Sequence, residues 1–224
     1  MKGGLVVIHE VWGLNEHTRD VADRFAREGY VVVAPDLLVD RGITEESTAE
    51  LNEALFSADA RARNEAQPKL RALLAPLQTP DFAALTTERV KACFDHLYDD
   101  AGVAGRVGVV GFCFGGSYSF SLAVHEPRLR ASVPFYGHAN FSDEELGLIE
   151  SPVLAFYGQE DERLMAGLPE LEAAMGRAGV DFTAMTYPDA GHAFFNDANQ
   201  YAYRQGPAED VWALTLEFLA RHLA

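Results

Sequence analysis

The sequence is poor in cysteine and in positive charge, and it has no long apolar run. Two cysteines in 224 residues, Cys93 and Cys113, are too few for a disulfide framework and match no zinc spacing. The 18 Lys and Arg against 34 Asp and Glu give a formal net charge of −16, which argues against nucleic acid or membrane partners, since both select clustered positive charge. The apolar run after Met1 is too short for a signal peptide or a membrane span, so we expect a cytoplasmic protein.

What the sequence does have is a regular alternation of strand and helix patterns. Six short apolar runs predict strands buried in a parallel sheet, namely Leu5–Ile8, Tyr30–Ala34, Val107–Phe112, Ala131–Tyr136, Val153–Gly158 and Phe182–Tyr187. Helix-period segments lie between them, and no repeat, low-complexity tract or linker interrupts the chain. The pattern predicts a single domain over residues 1–224, an α/β fold with a mostly parallel, doubly wound sheet of about six strands flanked by helices.

Several helix boundaries are also indicated. Asn15 is expected to cap a helix that runs to about Glu28, and Thr87–Asp99 carries a second helix pattern. Pro169 and Pro207 are expected in the first turns of the last two helices. Between Arg41 and Pro80 two helix patterns follow each other without a strand, which predicts a helical excursion near the carboxyl edge of the sheet, where ligands of such sheets bind.

The sequence GFCFGG at residues 111–116 joins the third predicted strand to a helix pattern. It has the G-x-C-x-G spacing of a nucleophile elbow. The sharp turn strains the backbone of the nucleophile and leaves room only for small residues on either side, here Gly111 and Gly115. The N–H groups that open the helix stabilise a thiolate and can donate to an oxyanion. A buried structural thiol is the alternative for Cys113, but the spacing favours a nucleophile. Cys93, on a helix stripe, is expected in the core.

A thiol nucleophile needs a base, which in this setting comes last in the chain order nucleophile, acid, histidine. Four histidines fall in helix patterns and are expected on the surface: His17, His96, His125 and His222. His192, in the loop after the last strand, is expected as the base, and His138 as a pocket-wall or capping residue. Asp161, in the turn after the fifth strand, is expected to orient His192. Its competitors for this role are Glu160, Glu162 and Asp189.

These segments resemble the dienelactone hydrolase family of the α/β-hydrolase superfamily. The resemblance rests on GFCFGG, on HEVWGLNEHTRDVADRFAREGYVVVAPDL from His9, on YGQED from Tyr157 and on YPDAGHAFFND from Tyr187, and it covers essentially the whole chain. It implies an α/β-hydrolase fold and a Cys113–His192–Asp161 triad that attacks an ester or lactone carbonyl, as in a carboxymethylenebutenolidase. It further implies that Glu10 gates the thiol, contacting it at rest and taking up its proton as substrate binds. The N–H groups of Val11 and Phe114 would form the oxyanion hole.

The chain departs from the family pattern in two respects. Family members begin with an antiparallel strand pair, which this sheet is expected to lack because Met1 lies close to the first parallel strand. That leaves one sheet edge exposed or available for subunit pairing. Members that act on dienelactone hold its carboxylate with arginines, one of them just beyond the catalytic histidine. Here no arginine follows His192 before Arg204. Arg61 and Arg63 in the helical excursion could supply one charge, but a surface position is the commoner fate of such residues. The sequence therefore argues against dienelactone itself as substrate.

The expected reaction is hydrolysis of a small ester or lactone through a thioester acyl-enzyme. An apolar pocket is expected from Trp12, Tyr136, Phe194 and Phe195. We expect no metal and no organic cofactor, and a monomer with a dimer as the alternative. Two other functions compete with hydrolysis. A non-catalytic binding protein would have no use for a complete triad, and a redox-active thiol protein would need a resolving cysteine near Cys113.

Overall fold

A parallel β-sheet forms the centre of the computed structural model, which describes residues 1–223. Within those residues the sheet has six strands in the order β2-β1-β3-β4-β5-β6, and every neighbouring pair is parallel. The strands are β1 (Gly4–Ile8), β2 (Val31–Val33), β3 (Val107–Phe112), β4 (Ala131–Phe135), β5 (Val153–Gly158) and β6 (Phe182–Tyr187). The predicted parallel, doubly wound sheet is confirmed, and no antiparallel strand pairs with it in residues 1–223.

Helices cover both faces of the sheet. Between residues 1 and 223 they are α1 (Glu16–Arg27), α2 (Glu45–Leu55), α3 (Ala60–Leu74), α4 (Pro80–Tyr98), α5 (Phe114–His125), α6 (Asp143–Leu146), α7 (Glu162–Ala178) and α8 (Gln205–His222). Apolar side chains of α1 and α8 pack with Leu5 and Val7 on one face, whereas those of α4, α5 and α7 pack with Val6 and Ile8 on the other. The four central strands, β1, β3, β4 and β5, are therefore buried on both sides, as their unbroken apolar runs predicted. The edge strands β2 and β6 are only partly buried, because each has a neighbouring strand on one side alone.

Helix boundaries follow local capping, and two of them differ from the prediction. Asn15 accepts the Thr18 N–H at 3.0 Å and caps α1 as predicted. Helix α4 begins at Pro80 rather than at Thr87, because the Thr79 hydroxyl caps it at the Phe82 N–H. The expectation for Pro169 is wrong, since α7 begins at Glu162 and holds this exposed proline in its interior.

The segment between β2 and α4 forms the predicted helical excursion, α2 and α3, and packs beside the loops that leave β1 and β3. Phe56, just after α2, meets the Trp12 ring edge-on with 5.8 Å between the ring centroids. Leu73, Leu74 and Leu77 pack in one apolar cluster with Phe82 of α4 and Phe114 at the start of α5. The excursion therefore borders the carboxyl edge of the sheet, as expected.

The strand order places a topological switch point between β1 and β3. From β1 the neighbour on one side is β2 and on the other β3, so the chain winds away in opposite directions from this point. Ile8 pairs with Gly111, so the residues that follow β1 emerge beside those that follow β3. Ligands of doubly wound sheets bind in the crevice at such a point. Glu10 and Cys113 are the polar residues delivered there.

No helix within residues 1–223 is long and apolar enough to cross a membrane.

Candidate active site

Cys113 occupies a strained turn between β3 and α5. Its backbone has φ 53° and ψ −107°, a conformation that residues with a side chain rarely adopt. Its N–H donates to the Phe135 carbonyl at 3.0 Å, and its own carbonyl accepts the Ser117 N–H at 3.1 Å. A Cβ on Gly111 would collide with the Gly115 carbonyl, and one on Gly115 would collide with the Ile8 carbonyl. Both glycines of the predicted elbow are therefore required by close backbone contacts.

Asp161 and His192 meet across two neighbouring loops. The His192 Nδ1 and the Asp161 Oδ2 lie 2.6 Å apart, while the other Asp161 oxygen accepts the Leu164 N–H at 3.3 Å and caps α7. The Glu160 N–H donates to the Ala190 carbonyl at 2.9 Å, which holds the two loops together. In residues 1–223, none of the competing carboxylates, Glu160, Glu162 or Asp189, forms an ion pair with His192.

The imidazole of His192 joins Asp161 to the thiol. Burial by itself lowers the pKa of His192, but the charge of the Cys113 sulfur and the hydrogen bond to Asp161 outweigh burial and hold this pKa well above its usual range. Burial has the opposite effect on a carboxyl group and raises the pKa of Asp161. The His192 imidazolium, followed by the Leu164 N–H and Arg163, more than offsets burial, so the pKa of Asp161 is lowered. Protein surrounds the His192 ring closely enough for burial to act on its pKa, yet 45% of the side-chain surface remains exposed, so one side of the ring faces solvent.

Glu10 is a buried carboxylate with two hydrogen-bond donors. It is 3% exposed, one oxygen accepts the Tyr136 hydroxyl at 3.2 Å, and the other accepts the Asn196 amide at 2.8 Å. Burial and then the nearby charges of Glu10 and Cys113 raise the pKa of Tyr136, so its hydroxyl stays protonated and can donate. Tyr136 has φ 38°, a strained backbone at the end of β4 that aims its ring at the site. In this arrangement the Glu10 oxygens are bonded to Tyr136 and Asn196, and no hydrogen bond joins Glu10 to Cys113 in residues 1–223.

The prediction that His17 lies on the surface is wrong. His17 is 6% exposed, its Nδ1 lies 3.0 Å from an Asp197 oxygen, and its ring meets Phe112 and Phe195 edge-on. A hydrogen bond to His17 is the main cause of the lowered pKa of Asp197. The signal was available in the sequence, because residues 17, 21 and 25 share one face of α1.

Asn196 is the residue of the site that sequence reasoning missed. It is 1% exposed and follows two buried aromatic residues, Phe194 and Phe195, in the loop that carries His192. A buried amide requires a partner, and here the partner is the carboxylate of Glu10. No local pattern in the sequence names this partner, because the two residues lie 186 positions apart.

The predicted pocket residues divide into two groups. Phe195 is 2% exposed and stacks on Phe112 at 5.4 Å, so it supports the loop from within the core. Tyr136 lies 5.2 Å from the His192 ring and 5.7 Å from Phe194, measured between ring centroids. Contact with substrate remains a prediction for Tyr136, Phe194 and Trp12. His138 contacts the Ser117 hydroxyl at 3.2 Å through Nδ1 and lies beside the elbow.

The arginines considered as substrate ligands are engaged elsewhere. Arg61 forms an exposed ion pair with Glu65 at 2.7 Å. Arg63 donates to the Ser57 carbonyl at 2.6 Å and lies over the Tyr201 ring at 4.3 Å. Neither contact directs a guanidinium at the Cys113 thiol.

Arg204 fastens the loop that carries His192. Its Nε donates to the Asp189 carbonyl at 3.0 Å, and one terminal nitrogen donates to the carbonyls of Tyr201, Ala202 and Tyr203 at 2.9, 3.2 and 3.0 Å. Four backbone carbonyls are thus satisfied by one guanidinium. We therefore infer that Arg204 stabilises the loop rather than binding substrate.

Arg204→Gln should lower the free energy of unfolding by about 1–2 kcal/mol, because charged hydrogen bonds to carbonyls are lost from a partly exposed side chain. Turnover should fall as well, since the loop carries His192. Urea titration and initial rates measure both quantities. Arg61→Gln, which removes only an exposed pair, is the control and should change stability by less than about 0.5 kcal/mol. Equal effects of the two variants would contradict the assignment.

Two backbone N–H groups were predicted to form an oxyanion hole. Val11 follows Glu10 in the loop after β1, and Phe114 opens α5 directly after Cys113. Among the hydrogen bonds of residues 1–223, neither the Val11 N–H nor the Phe114 N–H donates to a protein acceptor. Both are therefore free to donate to a substrate oxygen. In the same residues, no cluster of three or more His, Cys, Asp or Glu side chains could hold a metal ion.

Known proteins resemble this chain over nearly its whole length. Residues 2–223 match the model of the dienelactone hydrolase family. A protein of Saccharolobus solfataricus assigned as a carboxymethylenebutenolidase is 31% identical, over 98% of this chain and 90% of its own length. An Escherichia coli protein with the same assignment is 28% identical, over 97% of this chain and 76% of its own. The crystal structure of a Klebsiella pneumoniae protein assigned as a dienelactone hydrolase superimposes with a TM-score of 0.78 at 26% identity, covering 97% of this chain and 86% of that one.

Proposed function

Because this chain belongs to the dienelactone hydrolase family, we propose that it hydrolyses a small ester or lactone through a Cys113–His192–Asp161 triad and a thioester intermediate. Membership makes it a hydrolase of ester or lactone bonds with an α/β-hydrolase fold. The observation that carries the finer proposal is the chain of contacts from the Cys113 sulfur through His192 to Asp161, built on a strained elbow.

In the first half of the reaction the Cys113 sulfur attacks the carbonyl carbon. A C–S bond forms, and the electron pair of the C=O bond moves to the oxygen, which accepts the N–H groups of Val11 and Phe114. When the tetrahedral intermediate collapses, the C–O bond to the leaving group breaks and the alkoxide takes the proton from His192. Asp161 holds the imidazole in the orientation that places Nε2 toward the sulfur and the leaving oxygen.

In the second half water releases the acyl group. Neutral His192 takes a proton from water, and the resulting hydroxide attacks the thioester carbon. The C–S bond then breaks, which returns the thiolate of Cys113 beside the imidazolium of His192 and frees the carboxylic acid. The raised pKa of His192, to which the sulfur charge and Asp161 contribute against burial, supports this ion pair as the form in which the sulfur reacts.

Glu10 is proposed to control the proton of the thiol. Its carboxylate accepts the Tyr136 hydroxyl, and the pKa of this tyrosine is raised by burial first and then by the charges of Glu10 and Cys113, which puts both groups near one side chain. A shift of the carboxylate from Tyr136 and Asn196 to the sulfur would let it accept the thiol proton as substrate binds, which leaves the thiolate beside the His192 imidazolium. After the carboxylic acid has left, Glu10 returns this proton to the sulfur.

Glu10→Gln should therefore lower turnover about 10²-fold, the usual scale of a lost proton acceptor, while alkylation of Cys113 by iodoacetamide becomes no slower. The second result is expected because the variant removes a negative charge that opposes the thiolate. Initial rates and mass spectrometry of the alkylated protein measure the two effects. Glu162→Gln, an exposed carboxylate near the site, is the control. If Glu10→Gln turned over substrate at the wild-type rate, the proposal that Glu10 controls the thiol proton would be wrong.

The proposal is tested with a panel of small lactones and aryl esters, each assayed before and after stoichiometric alkylation of the protein. We expect turnover of several substrates, its loss on alkylation at Cys113, and a mass increase equal to the acyl group when the reaction is quenched with acid. A panel without any turnover would overturn the hydrolase mechanism. A single mole of thiol oxidised per mole of peroxide, without ester turnover, would identify a redox protein instead.

A further inference from the structure

His9, directly after β1, is a fully buried histidine whose two ring nitrogens both have hydrogen-bond partners. It is 0% exposed. Its Nε2 lies 3.0 Å from the Leu37 backbone nitrogen, and its Nδ1 lies 2.6 Å from the Glu10 carbonyl oxygen. The His9 ring also lies over the Phe114 ring with a centroid distance of 5.7 Å and an interplanar angle of 6°. Neither the triad nor Glu10 gating uses this side chain.

The two partners of the ring determine its tautomer. The Leu37 N–H can only donate, so Nε2 must be the acceptor of this hydrogen bond. Nδ1 therefore carries the proton and donates it to the Glu10 carbonyl. Burial lowers the pKa of His9 despite its bond to the Glu10 carbonyl, which keeps the ring neutral and Nε2 available to accept.

The hydrogen bond to the Glu10 carbonyl also orients the next N–H group. The Glu10–Val11 peptide bond is trans, as are all peptide bonds of residues 1–223. In a trans peptide the C=O and N–H groups point in opposite directions. A carbonyl turned toward His9 therefore turns the Val11 N–H away from His9.

The same residue contacts the other proposed oxyanion donor. The His9 carbonyl accepts the Gly115 N–H at 3.1 Å, directly after Phe114 in the elbow, and the His9 ring stacks on the Phe114 side chain. His9 thus fixes the peptide that carries the Val11 N–H and the residue that carries the Phe114 N–H. The Leu37 bond anchors this arrangement to the segment after β2.

We propose that His9 is the positioning residue of the oxyanion hole, setting the direction of the Val11 N–H relative to that of Phe114. This inference rests on the proposed acyl-transfer function. It assigns His9 no contact with substrate and no proton transfer, only the alignment of two donors.

The test compares two substitutions of His9. His9→Phe keeps an aromatic ring over Phe114 but removes both ring nitrogens. His9→Gln restores one acceptor and one donor on a planar group. We expect kcat to fall about 10²-fold in His9→Phe, the usual scale for a lost oxyanion donor, with KM changed by less than about threefold. His9→Gln should recover most of the loss.

Alkylation of Cys113 by iodoacetamide separates positioning from general damage, since this reaction develops no oxyanion. The alkylation rate of His9→Phe should stay within about twofold of the wild-type rate. Val7→Ala, a truncation of a fully buried residue of the same strand, controls for lost stability and should leave kcat nearly unchanged at a temperature where it is folded.

Three outcomes would overturn the inference. They are an unchanged kcat in His9→Phe, a parallel loss of alkylation and turnover, and a His9→Gln variant as slow as His9→Phe although folded. If His9→Phe does not fold, the kcat values of His9→Gln and His9→Leu are compared instead, at equal folded fraction. A wild-type protein without esterase activity but with a reactive thiol would count against the proposed function, not against the placement of the two donors.

Discussion

Cys113→Ala should lower ester turnover by about 10⁴-fold or more, because the nucleophile of an acyl-transfer triad has no substitute in the site. The change removes the sulfur but leaves the strained backbone, which is held by the Phe135 and Ser117 hydrogen bonds, in place. Initial rates on the best substrate of the ester panel measure the loss. Thermal unfolding should show a shift of only a few degrees.

Cys93→Ala is the matched control for the loss of a thiol. Cys93 lies on α4, half-buried against the core, and burial raises its pKa. Its removal should leave turnover within about twofold of the wild type and should leave the single fast alkylation event intact. Cys113→Ser should retain little activity, since a serine hydroxyl gives no ion pair with His192 at neutral pH. Wild-type turnover in Cys113→Ala would contradict the thioester mechanism.

Asp161→Asn should reduce kcat by about 10²- to 10⁴-fold, the range expected when the residue that orients a catalytic histidine is made neutral. The Asn amide can donate to Nδ1 of His192, which leaves the proton of the neutral ring on Nε2, where an acceptor for the proton of water is required in the second half of the reaction. Asp161 also caps α7, but an Asn oxygen can accept the Leu164 N–H in its place, so the fold should survive.

The same variant should change the pH profile in a direction set by His192. Burial lowers the pKa of His192, whereas the Cys113 sulfur and Asp161 raise it, and the net effect is a pKa well above the usual range. The imidazolium that protonates the leaving group therefore persists as pH rises and is lost only when pH passes this raised pKa. Without the Asp161 charge the alkaline limb of kcat should move to lower pH.

Asp189→Asn, an exposed carboxylate in the His192 loop, is the control and should leave both the rate and the alkaline limb in place. Rates from pH 5 to 10 in buffers of constant ionic strength provide the comparison. An alkaline limb in the same place for Asp161→Asn and wild type would show that Asp161 does not hold the imidazolium.

The sheet and the elbow were predictable from the sequence because local physics determines both. Strands buried on two faces need unbroken apolar runs, and a strained nucleophile turn leaves space only for Gly111 and Gly115. Capping explains the errors at helix starts. Thr79 followed by Pro80 is itself a start signal, and Asp161 was assigned only to chemistry although it also caps α7.

The parts of the site that could not be predicted depend on contacts between distant residues. Asn196 meets Glu10 across 186 positions, and His9 meets Leu37 across 28. Composition and periodicity place each of these residues in a loop or at a strand end, but they carry no information on which buried donor faces which acceptor. Only the packed sheet supplies that pairing.

One Asp161 oxygen caps α7 and the other contacts His192. Substitutions at this position should therefore affect the amount of folded protein and its catalytic activity to different extents. In a library of all substitutions, serine and asparagine should accumulate in cells almost as well as the parent, because both cap a helix. The same variants should be nearly silent in a screen for ester cleavage. Glutamate should be nearly inactive as well, since its extra methylene displaces the carboxylate from the position that bonds both the Leu164 N–H and His192. Selection on folding alone would therefore accept any residue that caps a helix well at position 161, whereas selection on chemistry accepts aspartate.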